Sequence, residues 1–463
     1  VSAILGGGSD RLTAGTGRKT LLGDSGTIDF SQAAGELMIE AASTSASTDG
    51  DDTIEFGAGD STVILGGGSD TLTAGNGDHV LLSDSGTIDV TRDDETSEID
   101  LASASTGTDG DDTVTLGDGD VSAILGGGSD RLTAGTGRKT LLGDSGTIDF
   151  SQAAGELMIE AASTSASTDG DDTIEFGAGD STVILGGGSD TLTAGNGDHV
   201  LLSDSGTIDV TRDDETSEID LASASTGTDG DDTVTLGDGN VSAILGGGSD
   251  RLTAGTGRKT LLGDSGTIDF SQAAGELMIE AASTSASTDG DDTIEFGAGD
   301  STVILGGGSD TLTAGNGDHV LLGDSGTIDV TRDDETGEIN LSSASTSTDG
   351  DDTVTLGDGD VSAILGGGSD RLTAGTGRKT LLGDSGTIDV TRDDETSEID
   401  LASASTGTDG DDTVTLGDGD VSAILGGGSD RLTAGTGRKT LLGDSGTIDF
   451  SQAAGELMIE AAS

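Results

Sequence analysis

Residues Ser47–Thr91 read STDGDDTIE, FGAGDSTVI, LGGGSDTLT, AGNGDHVLL and SDSGTIDVT, five nine-residue phrases with nothing between them. Each phrase has a Gly- or Asp-rich half and a short alternating half. The Gly-rich half supplies the positive φ angles of a tight turn. The other half, such as Thr71-Leu72-Thr73, is a short strand with one side chain pointing inward. Two phrases make one coil of about 18 residues. A chain written in so short a unit stacks that unit instead of closing a globular core. The expected fold class is all-β, a parallel β-roll or β-solenoid of short strands and Gly/Asp-rich turns.

The repetition extends far beyond this stretch. Residues 1–120 recur almost unchanged as 121–240, and with a few substitutions as 241–360. Each block divides into two related units, giving 1–60, 61–120, 121–180, 181–240, 241–300 and 301–360, then a hybrid at 361–420 and a truncated copy at 421–463. The expectation is one continuous array over 1–463. Each unit also holds a 15-residue insert, Gln32–Ala46 in the first and Arg92–Thr106 in the second. Through Leu37–Ala41 or Ser97–Leu101 the insert is expected to act as a sixth half-coil. A unit would then be three coils, and the chain about 23. Ile54, Phe56, Val63, Leu65, Leu72, Ala74, Leu81, Val90, Ile99 and Leu101 are expected to face a thin core between two parallel sheets. Both ends fall partway through a repeat, which reads as a segment of a longer array.

Composition limits the function classes. Acidic residues number 88 against 19 basic, for a formal net charge of −69, with 83 Gly and 2% aromatic residues. So little apolar surface places the chain near the disordered class unless something neutralises its carboxylates. Multivalent cations fit that need, whereas nucleic acid would be repelled. Without Cys there is no disulfide or thiolate chemistry, and without Pro strand pairing can run unbroken. No apolar run is long enough to span a membrane, and no signal peptide is visible.

Leu65-Gly66-Gly67-Gly68-Ser69-Asp70-Thr71-Leu72-Thr73 matches the pattern G-G-x-G-x-D-x-U-x, U being a large apolar residue, at all but the first Gly. Ser47–Glu55 keeps Gly50, Asp52 and Ile54 of the same pattern. The array therefore resembles the RTX nonapeptide family, and the resemblance covers nearly everything outside the inserts. It implies a parallel β-roll whose turns bind Ca2+, in proteins commonly secreted through type I systems. The chemistry agrees, since Ca2+ takes six to eight oxygens from carboxylates and main-chain carbonyls. With no Cys and scarce His, a soft-metal site is disfavoured. The candidate calcium ligands are Asp10, Asp70, Asp130, Asp190, Asp250, Asp310, Asp370 and Asp430; Asp49, Asp52, Asp109, Asp112, Asp169, Asp172, Asp229, Asp232, Asp289, Asp292, Asp349, Asp352, Asp409 and Asp412; and Asp24, Asp84, Asp144, Asp204, Asp264, Asp324, Asp384 and Asp444. All are placed on one edge of the roll, between turns such as 47–52, 65–70 and 83–88. The opposite edge has Ser61, then His79 or Lys19, where ligands would stand, so a one-sided ladder is expected. Asp60 and Asp78 are the residues that argue against it.

No nucleophile–base arrangement accompanies His79, His199 or His319, and enzyme activity is not expected. Ile4, Leu22, Ile64, Val80 and Leu82 are read as an outward apolar stripe suited to lateral or end-to-end self-association, unless part of each insert folds over it. These readings describe an extracellular, calcium-stabilised structural segment of a bacterial surface, matrix or adhesin protein. The alternatives are the repeat region of a secreted RTX hydrolase or toxin, or an ice-binding solenoid built on Thr-x-Thr rows.

Overall fold

A strand of three or four residues forms wherever a β-branched or aliphatic tetrapeptide follows a Gly-rich turn. The computed structural model describes residues 1–463 except 34–35, 44–49, 93–95, 104–109, 154–155, 164–169, 214–215, 224–229, 274–275, 284–289, 333–335, 344–349, 394–395, 404–409, 454–455 and 463. It has two compact units, Val1–Glu215 with Ser223–Asp238, and Thr216–Ala222 with Gly239–Ser463. Each unit has the same three-sheet architecture.

In the first unit, one parallel sheet takes Ser2–Ile4, Lys19–Leu22, Ser61–Ile64, His79–Leu82, Val121–Ile124, Lys139–Leu142, Ser181–Ile184 and His199–Leu202, in chain order. A second parallel sheet takes Arg11–Ala14, Thr53–Phe56, Thr71–Ala74, Thr113–Thr115, Arg131–Ala134, Thr173–Phe176, Thr191–Ala194 and Thr233–Thr235. The third sheet is an antiparallel run of hairpins, from Gly26–Ala33 and Glu36–Ser43 to Gly206–Arg212. The second unit repeats this with Val241–Ile244 through Lys439–Leu442, Arg251–Ala254 through Arg431–Ala434, and hairpins such as Gly266–Ala273 with Glu276–Ser283. No helix in the described residues is long and apolar enough to cross a membrane.

Burial identifies the layers. In Thr71–Ala74 the side chains alternate exposed and buried, so the second sheet is outermost with one wet face. In Ser61–Ile64 and His79–Leu82 all four positions are buried, which makes the first sheet the central layer. The third sheet buries Ile88, Val90, Ile99 and Leu101 and turns Thr87, Asp89 and Asp100 outward. The expected inward residues are all buried, but around two thin cores, one on each side of the central sheet.

Two expectations are corrected. The insert is not a half-coil; it pairs with the strand before it as a hairpin. Gly86–Arg92 and Thr96–Ser103 alternate over seven and eight residues, twice the length of a coil strand, with Ile88 opposite Leu101 and Val90 opposite Ile99. Two such runs separated by a few residues pair most readily with each other. A unit is thus two coils and a hairpin, not three coils. The apolar stripe is likewise not a surface: Leu22, Ile64, Val80 and Leu82 are buried. A Cβ added to Gly86, at the hairpin's base, would stand 2.8 Å from Leu82 Cδ1, so Leu82 points at the hairpin. Ile4 is exposed in the first strand, while its equivalents Ile124, Ile244 and Ile364 are fully buried.

The hairpin also accounts for the 60-residue period. Residues 61–120 add two strands to each sheet: Ser61–Ile64 and His79–Leu82, Thr71–Ala74 and Thr113–Thr115, Gly86–Arg92 and Thr96–Ser103. Strand spacing is about 4.8 Å in parallel and antiparallel sheets alike, so the three layers rise in step.

Candidate metal centre

The turns that enter the outer sheet end in Asp, and successive turns stack. Gly66 and Gly68 adopt φ of 117° and 112°, so Gly66-Gly67-Gly68 is a left-handed turn that a side chain would strain. Stacking places the Asp of each turn beside the main chain of the next. Asp52 Oδ1 accepts the Asp10 amide at 2.7 Å, Asp70 Oδ1 the Asp52 amide at 2.7 Å, and Asp112 Oδ1 the Asp70 amide at 2.6 Å. The ladder continues through Asp130, Asp172, Asp190 and Asp232 at 2.7–2.8 Å. In the second unit it runs from Asp250 through Asp292, Asp310, Asp352, Asp370 and Asp412 to Asp430 at 2.8–3.0 Å. All are buried except Asp10 and Asp430, which are half-buried.

The second family of aspartates comes from the segment joining the central sheet to the hairpin. The Gly67 amide donates to Asp24 Oδ2 at 2.8 Å, and the Gly127 amide to Asp84 Oδ2 at 2.6 Å. Asp144, Asp264, Asp324 and Asp384 receive the amides of Gly187, Gly307, Gly367 and Gly427. Asp204 is buried like them, and Asp444 is exposed. The segment holding Asp84 adjoins the 65–70 turn, with the Gly66 amide donating to the Ser83 carbonyl at 2.9 Å. A Cβ on Gly143 would meet both the Leu185 carbonyl and Asp172 Oδ2, so carboxylate and carbonyl oxygens share the space between stacked turns. Asp49, Asp109, Asp169, Asp229, Asp289, Asp349 and Asp409 lie outside the described residues.

Burial leaves carboxylate oxygens of this edge without partners. Asp70 Oδ2, Asp112 Oδ2, Asp172 Oδ2, Asp292 Oδ2 and Asp412 Oδ2 are buried with no hydrogen-bond partner. Burial, with further pressure from Asp52, Asp24 and Asp51, pushes the Asp70 carboxyl up to about 8; the Asp52 amide only partly opposes this. Burial also raises Asp412 to about 8, with Asp370, Asp384 and Asp430 adding to the effect. Asp112, Asp172 and Asp292 are pushed well above the ordinary carboxylate range, by burial first and neighbouring carboxylates second. A buried carboxylate is stable only when protonated, paired or bound to a metal. Among the described residues, no three His, Cys, Asp or Glu side chains form a metal shell by themselves. Main-chain carbonyls of the turns must complete any shell, which suits Ca2+ and its all-oxygen preference.

Sequence reasoning missed a companion ladder one residue earlier on the same edge. The Ser69 amide donates to Asp51 Oδ1 at 3.1 Å, the Asp111 amide to Ser69 Oγ at 3.1 Å, and the Ser129 amide to Asp111 Oδ1 at 2.9 Å. Its signal was the strict alternation of Asp and Ser at that position. On the opposite edge Asp60, Asp78 and Asp120 form a similar ladder at 3.1–3.2 Å, closed by the Arg138 amide at 2.8 Å. Unlike the aspartates of the buried ladder, these three are half-buried or exposed.

The family described as the RTX calcium-binding nonapeptide repeat (four copies) matches residues 47–79, 106–146, 167–199, 226–261, 287–321, 346–386 and 406–446, together more than half of the chain. Among curated proteins none matches the chain.

Proposed function

The chain belongs to the RTX calcium-binding nonapeptide repeat family, and on that premise we propose that it is a calcium-stabilised, extracellular structural segment of a bacterial surface, matrix or adhesin protein. The array over 1–463 is one continuous series of 60-residue units, exported unfolded, with type I secretion the expected route. Its role is mechanical, not catalytic. The aspartates of the buried ladder and those of the Asp24 family are its calcium ligands.

The observation that carries this reading is the row of buried carboxylates with upward-displaced pKa values. Like charges held in stacked turns keep the metal-free chain open. Bound Ca2+ supplies the positive charge that lets those turns close. Stability then follows calcium concentration by mass action. An export-then-fold sequence is consistent with a low-calcium interior and a calcium-rich exterior.

The ice-binding alternative finds less support. Thr71, Thr73, Thr113 and Thr115 do form exposed rows on the outer sheet. Nearby, however, an Arg131–Glu175 ion pair at 3.8 Å breaks those rows.

The deciding experiment is far-UV circular dichroism of residues 1–463 titrated with Ca2+, with Mg2+ as control. A coil-to-β transition driven by Ca2+ and not by Mg2+ is expected. A chain fully folded in chelator would overturn the reading. Asp172→Asn should weaken calcium binding at its turn by roughly tenfold, the loss of one charged ligand from an oxygen shell. Calorimetric titration would show it, and unchanged affinity and stoichiometry would remove Asp172 from the ligand set.

A further inference from the structure

All five lysines and all three histidines of the chain stand at one position, the sixth of the nonapeptide, where the other edge has Asp. Strand register lines this position up along the central sheet: Lys19 beside Ser61, Ser61 beside His79, His79 beside Val121, and Val121 beside Lys139. On this edge the metal-ligating residue has therefore been replaced throughout by Val, Lys, Ser and His in turn.

Four of the five lysine side chains are buried, and Lys439 is half-buried. Lys19, Lys139, Lys259 and Lys379 are among the most buried side chains of the protein. Lys139 Nζ donates to the Gly137 carbonyl of its own turn at 2.9 Å and to the Gly119 carbonyl of the stacked turn at 3.1 Å. Lys259 bridges Gly257 and Gly239, both at 3.0 Å. Lys379 bridges Thr376 at 3.1 Å and Gly359 at 2.8 Å. The face of Phe176 lies 5.9 Å from Lys139 Nζ, and Phe296 6.0 Å from Lys259 Nζ. Burial lowers the Lys139 ammonium to about 8, with Asp120, Asp118 and Asp78 opposing the shift, so it stays charged at neutral pH. At the intervening turns His79 Nε2 donates to the Gly75 carbonyl at 2.9 Å, which leaves Nδ1 to accept from Ser61 Oγ at 2.7 Å. That pair is neutral and satisfied.

We propose that the buried ammonium groups of Lys139, Lys259 and Lys379 are tethered cations that hold stacked turns together on this edge and exclude Ca2+ from it. Lys139, Lys259 and Lys379 each bridge carbonyls of two consecutive turns, the acceptor type a calcium ion would otherwise use, and each brings a positive charge where a divalent ion would need a carboxylate; Lys19, in the first coil, donates to the Gly17 carbonyl of its own turn. On this reading the calcium ladder is one-sided because the positive charge of the lysine edge is covalently attached. The exclusion clause rests on the reading that Ca2+ occupies the aspartate edge; the bridging clause does not.

The test compares the wild-type chain with a K139M/K259M/K379M variant and a K139D/K259D/K379D variant, by equilibrium dialysis against Ca2+ and by urea unfolding in saturating Ca2+. The Met variant should bind as many ions as wild type and unfold at a clearly lower urea concentration. The Asp variant, which restores the ligand type, should take up additional ions, up to one per replaced lysine. A Met variant as stable as wild type would overturn the bridging role. A folded Asp variant that binds no more Ca2+ than wild type would overturn the exclusion. Should the Asp variant not fold, amine acetylation of the wild-type chain decides: protection of Lys139 and Lys259 with and without Ca2+ supports the socket, and ready modification refutes it. A wild-type chain that binds no Ca2+ sinks the calcium reading while the Met variant still tests the bridge.

Discussion

A single aspartate of the ladder shows how proton and metal compete. The Asp70 and Asp412 carboxyls ionise near pH 8 in the folded chain, against 3.8 for a free side chain. Because the folded value is the higher one, their contribution to stability is fully present below about pH 4 and is lost as pH rises through about 8. At pH 8 each such residue costs the metal-free fold on the order of 5 kcal/mol. His79 and His319 act the other way, since burial holds them below 6.5 and their contribution falls on acidification below that value. Few imidazoles face many aspartates, so the net sign is set by the ladder. In chelator, β-structure should therefore increase between pH 8 and pH 5 by circular dichroism. Ca2+ uptake at pH 6–7 should release protons, seen as a dependence of calorimetric heat on buffer ionisation enthalpy. Loss of β-structure on acidification would contradict this account.

At the scale of elements, the joint between coil and hairpin is closely packed. A Cβ on Gly146 would collide with the Ala162 carbonyl and stand 2.5 Å from Leu142 Cδ2, so backbone, not just side chain, blocks it. Gly146→Val should lower stability by roughly 1–3 kcal/mol in urea unfolding. Gly337→Ala, in a hairpin strand with open space around it, should stay within about 0.5 kcal/mol of wild type. Much of this element plan was legible in sequence. Thr71-Leu72-Thr73 alternates as a one-sided strand must, and Asp70 ends a Gly turn. The hairpin was not legible, because Gly86–Arg92 begins in phase with the nonapeptides and departs from them only by its length. Nor was the central layer: Lys139-Thr140-Leu141-Leu142 carries a charge at a fully buried position, and only the structure shows the carbonyls that accept it. The Leu22 and Leu82 stripe was legible as apolar but not as covered, since the covering strand lies in the insert.

At the scale of the whole molecule, a net charge of −69 opposes every stage of compaction. The outer face of the hairpin sheet adds to this, with Asp89 opposite both Glu40 and Asp100, and Asp149 opposite Asp100 and Glu160. Like charges directly across a strand pair are destabilising, so this face opposes compaction as well. Deleting residues 121–240 removes four strands from each sheet and rejoins Asp120 to a copy of the sequence that already follows it. That chain should fold with an unchanged calcium midpoint by circular dichroism. Deleting only 61–78 removes one strand from each parallel sheet and none from the hairpins, and should give a chain with reduced β-content at saturating Ca2+. Equal behaviour of the two deletions would show that the layers need not rise together.

That lockstep of two strands per sheet in every sixty residues has a genetic consequence. Near-identical copies of a coding sequence recombine out of alignment, and each such event inserts or removes a block. The chain carries one visible scar, residues 361–420, which follow one repeat type to Asp389 and the other from Val390 while keeping the count intact. Exchanges offset by sixty residues or its multiples yield a longer or shorter protein that still folds, whereas other offsets yield one whose layers fall out of step. Length thus becomes a heritable trait that changes in quanta, open to selection without the alteration of a single codon.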